Sequence, residues 1–301
     1  MKTVLIEGRT LPEVYHNALY ELYETPEREM SVVMKVHEPL AEPMISRCMP
    51  AGPHELEQYR QEMLYGILDF EVERGNWHYT YHQRMARWKQ SVVDELERDE
   101  KSRRAVISIR DNAEDAGSAD PACLQSIQYM IRDGKLHCWV LFRSNDAVKA
   151  SYMNMFALIM LQKEFAERLG VEIGEYNHMA NSYHCYPEDN ETLARYAKRI
   201  EEEVDMDLRY KDGNHCYILT EDHSALSYPY QGGWDALMEA EKSSINEMVA
   251  EQRRKYMAEQ KSCANCGREC RMRQEENAAK HGCFDFKERK NDQGQRNEKR
   301  I

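Results

Sequence analysis

The 301-residue chain contains no apolar run that approaches the length of a membrane span, which argues against a transmembrane helix. A charged, apolar leader is also missing: Met1-Lys2-Thr3-Val4 opens as a strand, so the expected location is cytoplasmic. Positive charge is scarce, with 41 Lys and Arg against 53 Asp and Glu and a net charge of −12. That balance argues against general affinity for nucleic acid, because a phosphate backbone requires a clustered positive field. One local basic pocket remains compatible with it. The nine cysteines are an odd number in a chain with no secretion signal, which removes a disulfide framework as the reading. There is no internal repeat. What is present is 42% apolar and 31% charged residues with a mean hydropathy of −0.81, a globular core under a very polar surface. The length suffices for one sizeable core plus an appendage.

Periodicity organises the chain as α+β. Val4-Leu5-Ile6 reads as a strand and leads into a helix capped by Thr10, with Pro12 in its first turn. Met30, Val32, Met34 and Val36 mark a second strand. After a Pro-rich passage, Leu56, Tyr59, Met63 and Leu64 recur at helical spacing. A further helix over residues 82–98 turns Met85, Trp88, Val92 and Leu96 inward. Residues 105–109 form a short strand, and residues 112–120, without apolar period, form a loop. Two strand patterns flank Asp133-Gly134, a strong hairpin signal. Residues 152–169 make a buried central helix closed by Gly170. Residues 191–204 are helical, residues 216–219 a strand, and a long amphipathic helix follows from Trp234. The expected domains are residues 1–230 and a helix with a Cys-rich, charged tail over residues 231–301.

Several residues in the middle of the chain carry chemistry. Cys48, Cys138, Cys185 and Cys216 read as packing thiols, whereas Cys123 follows a polar loop and sits just ahead of a strand. Arginines in the same segment are expected to lower its pKa and favour thiolate. Arg143 and Ser144, at a strand end, present a fork of donors and a hydroxyl that suit a phosphate. Arg103 and Arg104 have the same character, one pairing internally while the other reaches outward. Asn154, inside an apolar helix, needs a partner for its amide, and uracil's O4 and N3–H offer one acceptor and one donor. His184 and Tyr186 alternate on a strand and suit a sugar hydroxyl.

The order Ser102-Arg103-Arg104, Cys123, Asp133-Gly134-Lys135-Leu136, Arg143-Ser144-Asn145-Asp146, Asn154 and His184-Cys185-Tyr186 resembles the thymidylate synthase and pyrimidine nucleotide hydroxymethylase superfamily. Glu7-Gly8-Arg9-Thr10-Leu11-Pro12 and Tyr79-Thr80-Tyr81 are similar to its archaeal-type branch. The resemblance covers roughly residues 1–220. It implies a mixed β-sheet with a buried central helix, and Cys123 as the nucleophile that adds to pyrimidine C6. It implies Arg143 and Ser144 on the 5′-phosphate, and Arg103 and Arg104 reaching it from the partner subunit of a homodimer. Asn154 would read the base, His184 and Tyr186 the 3′-hydroxyl, and Asp146 the pterin ring of a 5,10-methylenetetrahydrofolate co-substrate. Arg47 would be a further phosphate-contacting residue. The family's catalytic glutamate falls on the helix after Pro53, with Glu57 the choice and Glu55 the rival. The implied reaction converts dUMP to dTMP. A 5-hydroxymethylase on dUMP, dCMP or CMP and an inactive scaffold are the alternatives. Leu124, where bacterial members carry a His, and a polar chain end depart from the family pattern and leave methylation and hydroxymethylation both open.

The tail forms a separate motif. Cys263, Cys266 and Cys270, with Cys283 further on, have spacing compatible with zinc or iron–sulfur ligation by thiolates.

Overall fold

The computed structural model describes residues 1–41, 44, 46, 48–49, 52–201, 210–212, 215–219, 225–229 and 233–260. The chain divides into two compact units, Met1–Lys242 and Ser243–Ile301.

Strand β1 (Thr3–Gly8) runs into helix α1 (Leu11–Glu24). There the Thr10 hydroxyl accepts from the Glu13 N–H and the Glu13 carboxylate reaches back to the Thr10 N–H, with Pro12 in the first turn. Strand β2 (Glu29–Val36) buries Met30, Val32, Met34 and Val36 in strict alternation. Helices α2 (Pro53–Tyr65), α3 (Phe70–Glu73) and α4 (Tyr81–Arg98) follow. Strand β3 (Val106–Ser108) and the one-turn helix α5 (Asn112–Asp115) lead to β4 (Leu124–Arg132) and β5 (Lys135–Phe142). Asp133 and Gly134 join these two strands with φ of 53° and 72°, the left-handed pair that a two-residue hairpin turn demands. Strand β6 (Asn145–Asp146), helix α6 (Ser151–Leu169), β7 (Glu172–His184) and α7 (Asn190–Glu201) complete the main body. A small antiparallel sheet is made of β8 (Tyr210–Asp212), β9 (His215–Leu219) and β10 (Ala225–Pro229). Helix α8 (Gly233–Gln260) ends the described chain.

The main sheet is mixed, in the order β1-β2-β7-β5-β4-β3, with β6 pairing β7. Strands β1/β2 and β5/β7 are parallel, and β2/β7, β4/β5 and β3/β4 antiparallel. Helix α6 lies against β5 and β7 and is the buried central helix, with Met155, Phe156, Ala157, Leu158, Ile159 and Leu161 fully enclosed. Each of these side chains other than Ala157 contributes about 1.5–3 kcal/mol by leaving water. The buried Gln162 amide in this apolar surround donates to the Leu136 and Gly174 carbonyls. The helix ends at Gly170, whose φ of 67° provides the left-handed cap. These features are the expected α+β fold around a mixed sheet.

The other face of the sheet is open among the described residues. Leu5, Val33, Met179 and Leu141 stand in one row across four strands, and Leu5, Met179 and Val106 are exposed. No helix among the described residues is long and apolar enough to cross a membrane.

Two expectations are corrected. Trp88 is 42% exposed, because α4 turns Met85, Val92, Val93 and Leu96 to the core and leaves Trp88 beside Arg87. The polar stretch 112–120 is not all loop: Asp111 caps the Ala113 N–H, and that bond supports the single turn of α5.

Candidate active site

Strand pairing creates the centre of the site. The Arg143 N–H donates to the Cys123 carbonyl at 2.9 Å, so the start of β4 and the end of β5 face one another. A bulge between Leu124 and Ser126 follows at once, the kind of irregularity that re-aims side chains beside a site. The Arg143 guanidinium folds over the segment 121–123. Its Nη2 donates to the Pro121 carbonyl at 2.7 Å and lies 3.5 Å from the Cys123 Sγ, while Nε donates to the Ala122 carbonyl at 3.1 Å. Its Nη1 has no hydrogen bond among the described residues and remains available to a ligand. Ser144 follows it, half-buried.

Cys123 is half-buried, and burial pushes its thiol above the ordinary range. The Arg143 charge pulls it down and Asp120 pushes it up again. Sequence proximity to arginines therefore does not make a resting thiolate here, because partial desolvation outweighs a single guanidinium. Three tyrosines surround the segment. The Tyr81 hydroxyl accepts from the Leu124 backbone N–H at 3.4 Å, and the Tyr79 ring packs edge to face on that of Tyr81 with 5.7 Å between centres. Burial raises the pKa of the third, Tyr59, so its hydroxyl keeps its proton. It donates to the Asn154 Oδ1 at 2.5 Å. The Asn154 amide is buried, and with its oxygen engaged, Nδ2 is the group left to a ligand.

A cavity of about 340 Å³ opens beside these residues, lined by Tyr59, Glu62, Asp69, Trp77, Tyr79 and Asp120 among others. Its wall between α2 and α4 is braced by Asp69, which accepts from the Thr80 hydroxyl at 2.5 Å and pairs with the His82 Nδ1 at 2.7 Å. Gly66, at φ 66°, ends α2 at this brace. A Cβ there would collide with the His82 ring and the Asp69 carboxylate.

The glutamates are arranged differently from the sequence expectation. Glu57 is fully buried and bound by Arg60 at 2.5 Å and Gln61 at 2.9 Å, away from the cavity lining. Glu55 accepts from the Gly52 N–H as a helix cap. Glu62 lines the cavity; burial raises its pKa, and a hydrogen bond from Gln58 opposes that shift. The signal for Glu62 was its spacing: Tyr59, Glu62 and Met63 occupy one helix face at i, i+3 and i+4.

The other expected residues are placed as follows. Asp146 accepts from the Val148 and Lys149 N–H groups, turning the chain into α6. His184 ends β7, and Tyr186 already lies in the following turn, yet their rings meet edge to face at 4.8 Å. Arg104 pairs with Glu95 at 2.8 Å and Asp99 at 3.6 Å on its own chain. Exposed Arg103 forms no ion pair among the described residues, and its carbonyl accepts from Gln128. Arg47, Cys263, Cys266, Cys270 and Cys283 lie outside the described residues.

The described residues thus bring together a thiol, a guanidinium and three phenols, next to an aromatic cavity holding a half-buried carboxyl. The sequence profile described as "Thymidylate synthase" matches residues 60–239, and the chain belongs to that family. It is similar to proteins named "Putative thymidylate synthase" from methanogens. That of Methanocaldococcus jannaschii is 35% identical over 153 residues, 46% of this chain and 65% of the relative. That of Methanosarcina acetivorans is 31% identical, over 48% of this chain and 67% of the relative. That of Methanopyrus kandleri is 27% identical over 210 residues, 62% of this chain and 95% of the relative. The chain thus spans about two thirds of the length of the first two.

Proposed function

We propose that this protein transfers a one-carbon unit from a methylene-folate donor to C5 of a pyrimidine nucleoside monophosphate, with dUMP as acceptor and dTMP as product. The observation that carries this reading is the placement of Cys123 against Arg143, with Asn154 and the Glu62 cavity alongside. Arg143 Nη1 and Ser144 would hold the 5′-phosphate and fix the ring's distance from the thiol. Cys123, on losing its proton, adds through Sγ to C6, and the C5–C6 π pair becomes an enolate at O4 and C5. The Asn154 Nδ2 donates to O4 as negative charge gathers there. C5 would then attack the one-carbon unit and lose its own proton as the bond from that carbon to the folate N5 breaks, leaving an exocyclic methylene. Hydride from the released tetrahydrofolate adds to the methylene as the C6–S bond breaks, which restores the ring and gives dTMP and dihydrofolate. Glu62 is the cavity carboxyl able to relay a proton, its raised pKa bringing it nearer neutrality. It replaces Glu57 and Glu55 in that role.

The donor supplies carbon at the oxidation level of formaldehyde and, for a methyl product, a hydride. The aromatic lining of Trp77, Tyr79 and Tyr81 suits a planar heterocycle, and the volume is of the order of small-molecule pockets. Asp146 would serve the pterin, and His184 with Tyr186 the sugar hydroxyl.

The engaged Asn154 oxygen sharpens base choice. Nδ2 donates to uracil O4, whereas the cytosine amino group would meet donor with donor. A mispaired buried group costs about 1–3 kcal/mol, so dUMP should be preferred over dCMP by one to two orders of magnitude.

Incubation with 5-fluoro-dUMP and methylene-tetrahydrofolate should leave a covalent adduct on the Cys123 peptide by mass spectrometry. Tight nucleotide binding without any adduct would sink the covalent reading. With dUMP itself, dTMP and dihydrofolate are expected. 5-Hydroxymethyl nucleotide with tetrahydrofolate returned would instead make the protein a hydroxymethylase.

Two parts of the chain extend this proposal. The open sheet face, with its row of Leu5, Val33, Met179 and Leu141, would receive a second copy of the chain, bringing Arg103 and Arg104 to the partner's phosphate site. The four tail thiols of Cys263, Cys266, Cys270 and Cys283 would hold about one zinc or one iron–sulfur cluster per chain. Metal analysis of anaerobically purified protein should show it at stoichiometric level, and a metal-free chain would remove the tail site.

A further inference from the structure

The segment that delivers Cys123 is moored from beneath by a cluster that takes no part in the proposed chemistry. Asp115, at the end of α5, is buried. Its Oδ2 accepts from the Asp111 N–H at 2.9 Å, and its Oδ1 from the Ala122 N–H at 3.4 Å. The same Oδ1 receives the Arg84 Nη2 at 3.1 Å. Arg84, on α4, is buried as well, and its guanidinium lies 5.3 Å from the centre of the Tyr79 ring. Tyr79 in turn packs edge to face against Tyr81 at 5.7 Å, and the Tyr81 hydroxyl accepts from the Leu124 N–H at 3.4 Å. One guanidinium thus touches the carboxylate that holds the Ala122 N–H and the ring packed on the tyrosine that holds the Leu124 N–H, the two residues that flank Cys123.

The chemistry of the cluster is specific to arginine. Nη2 also reaches Glu114 at 3.1 Å, so one arm serves two carboxylates while the guanidinium carbon stays within cation–π distance of the aromatic ring. An ammonium can supply the charge but not the plane. Nη1 is buried without a hydrogen-bond partner among the described residues, an arrangement that costs stability and is not what packing alone would select. The Asp115 carboxylate is pushed up by burial but ends below the ordinary range, held there by the two N–H bonds and by Arg84 and Arg110.

We propose that Arg84 is a positioning residue for the nucleophile, acting through Asp115 and Tyr79 to fix the backbone on which Cys123 is presented. The inference rests on the reading of Cys123 as the nucleophile, and two readouts separate the two ideas. The first needs no turnover: peptide-resolved alkylation of Cys123 by iodoacetamide in the native protein. Arg84→Lys and Asp115→Asn, both milder than truncation to alanine, should release the segment and speed this alkylation about fivefold or more, since local opening exposes the thiol. The second is the rate of 5-fluoro-dUMP adduct formation at saturating nucleotide. It should fall about tenfold or more in the same variants, because small misplacements of a reacting atom are costly, with the dUMP dissociation constant within about threefold of the parent. Opposite movement of the two rates, with a cooperative thermal transition retained, is the signature of positioning and not of general loosening. Alkylation and adduct rates both within twofold of the parent in both variants would overturn the proposal. A parent protein that forms no adduct would sink the nucleophile reading, and the alkylation readout would still decide whether Arg84 moors the segment.

Discussion

Cys123→Ser should abolish dUMP turnover while leaving the nucleotide dissociation constant within about tenfold of the parent. Binding in the proposed site rests on Arg143, Ser144 and Asn154, none of which needs the sulfur. The step that follows needs a soft, ionisable nucleophile, and the side chain hydrogen-bonded at that position among the described residues is the Arg143 guanidinium, which cannot act as a base for a serine hydroxyl. Turnover near the parent rate would remove Cys123 from the reaction. The thiol also carries a pH signature. Burial raises its pKa above the ordinary value near 9, so the thiolate fraction is small at neutral pH and grows as the pH passes that value. Alkylation of Cys123 in the free protein should therefore still be climbing at pH 9; a plateau near pH 7 would contradict the burial. If the proposed homodimer shares its sites, mixing Cys123→Ser subunits with inactive Arg104→Ala subunits should restore part of the activity. No recovery after verified subunit exchange would mean self-contained sites.

Arg143→Ala should weaken nucleotide binding by about 2–5 kcal/mol, the range for truncating one member of a desolvated charge pair. That corresponds to roughly thirtyfold to several thousandfold in dissociation constant, read by calorimetry or equilibrium dialysis. The guanidinium has two tasks. Nη2 and Nε are already engaged by the Pro121 and Ala122 carbonyls, and Nη1 is the arm left for a phosphate. Arg143→Lys should recover little, because one ammonium cannot bridge two carbonyls and an anion at once. An unchanged affinity in the alanine variant would take Arg143 out of the phosphate site.

Much of the fold was legible because its signals are local. Asp133-Gly134 allowed one hairpin geometry, Thr10 with Pro12 one helix start, and Gly170 one helix end. The apolar run after Tyr152 could only be a buried helix. Strand order was not legible, since β2 lies between β1 and β7 through contacts remote in sequence. The site was legible in composition but less so in orientation. Cys123, Arg143 and Asn154 stood out as residue types for the proposed site; that a tyrosine would occupy the Asn154 oxygen did not. Glu62, the carboxyl proposed for the cavity, was not legible because its helix face is defined by the cavity formed with residues 68–81, and the sequence could not show that Arg60 pairs with Glu57. The expected thiolate failed for a similar reason: a count of nearby arginines carries no information about desolvation.

The upward shift of the Cys123 thiol has a consequence for the protein at rest. A cysteine kept mostly as thiol reacts slowly with peroxides and stray electrophiles, since these attack the thiolate. A preactivated nucleophile would be consumed by whatever met it first. In the proposed reaction this one would stay chemically quiet until a pyrimidine ring is set against it, and discrimination would come from where the carbon is placed more than from the sulfur's appetite.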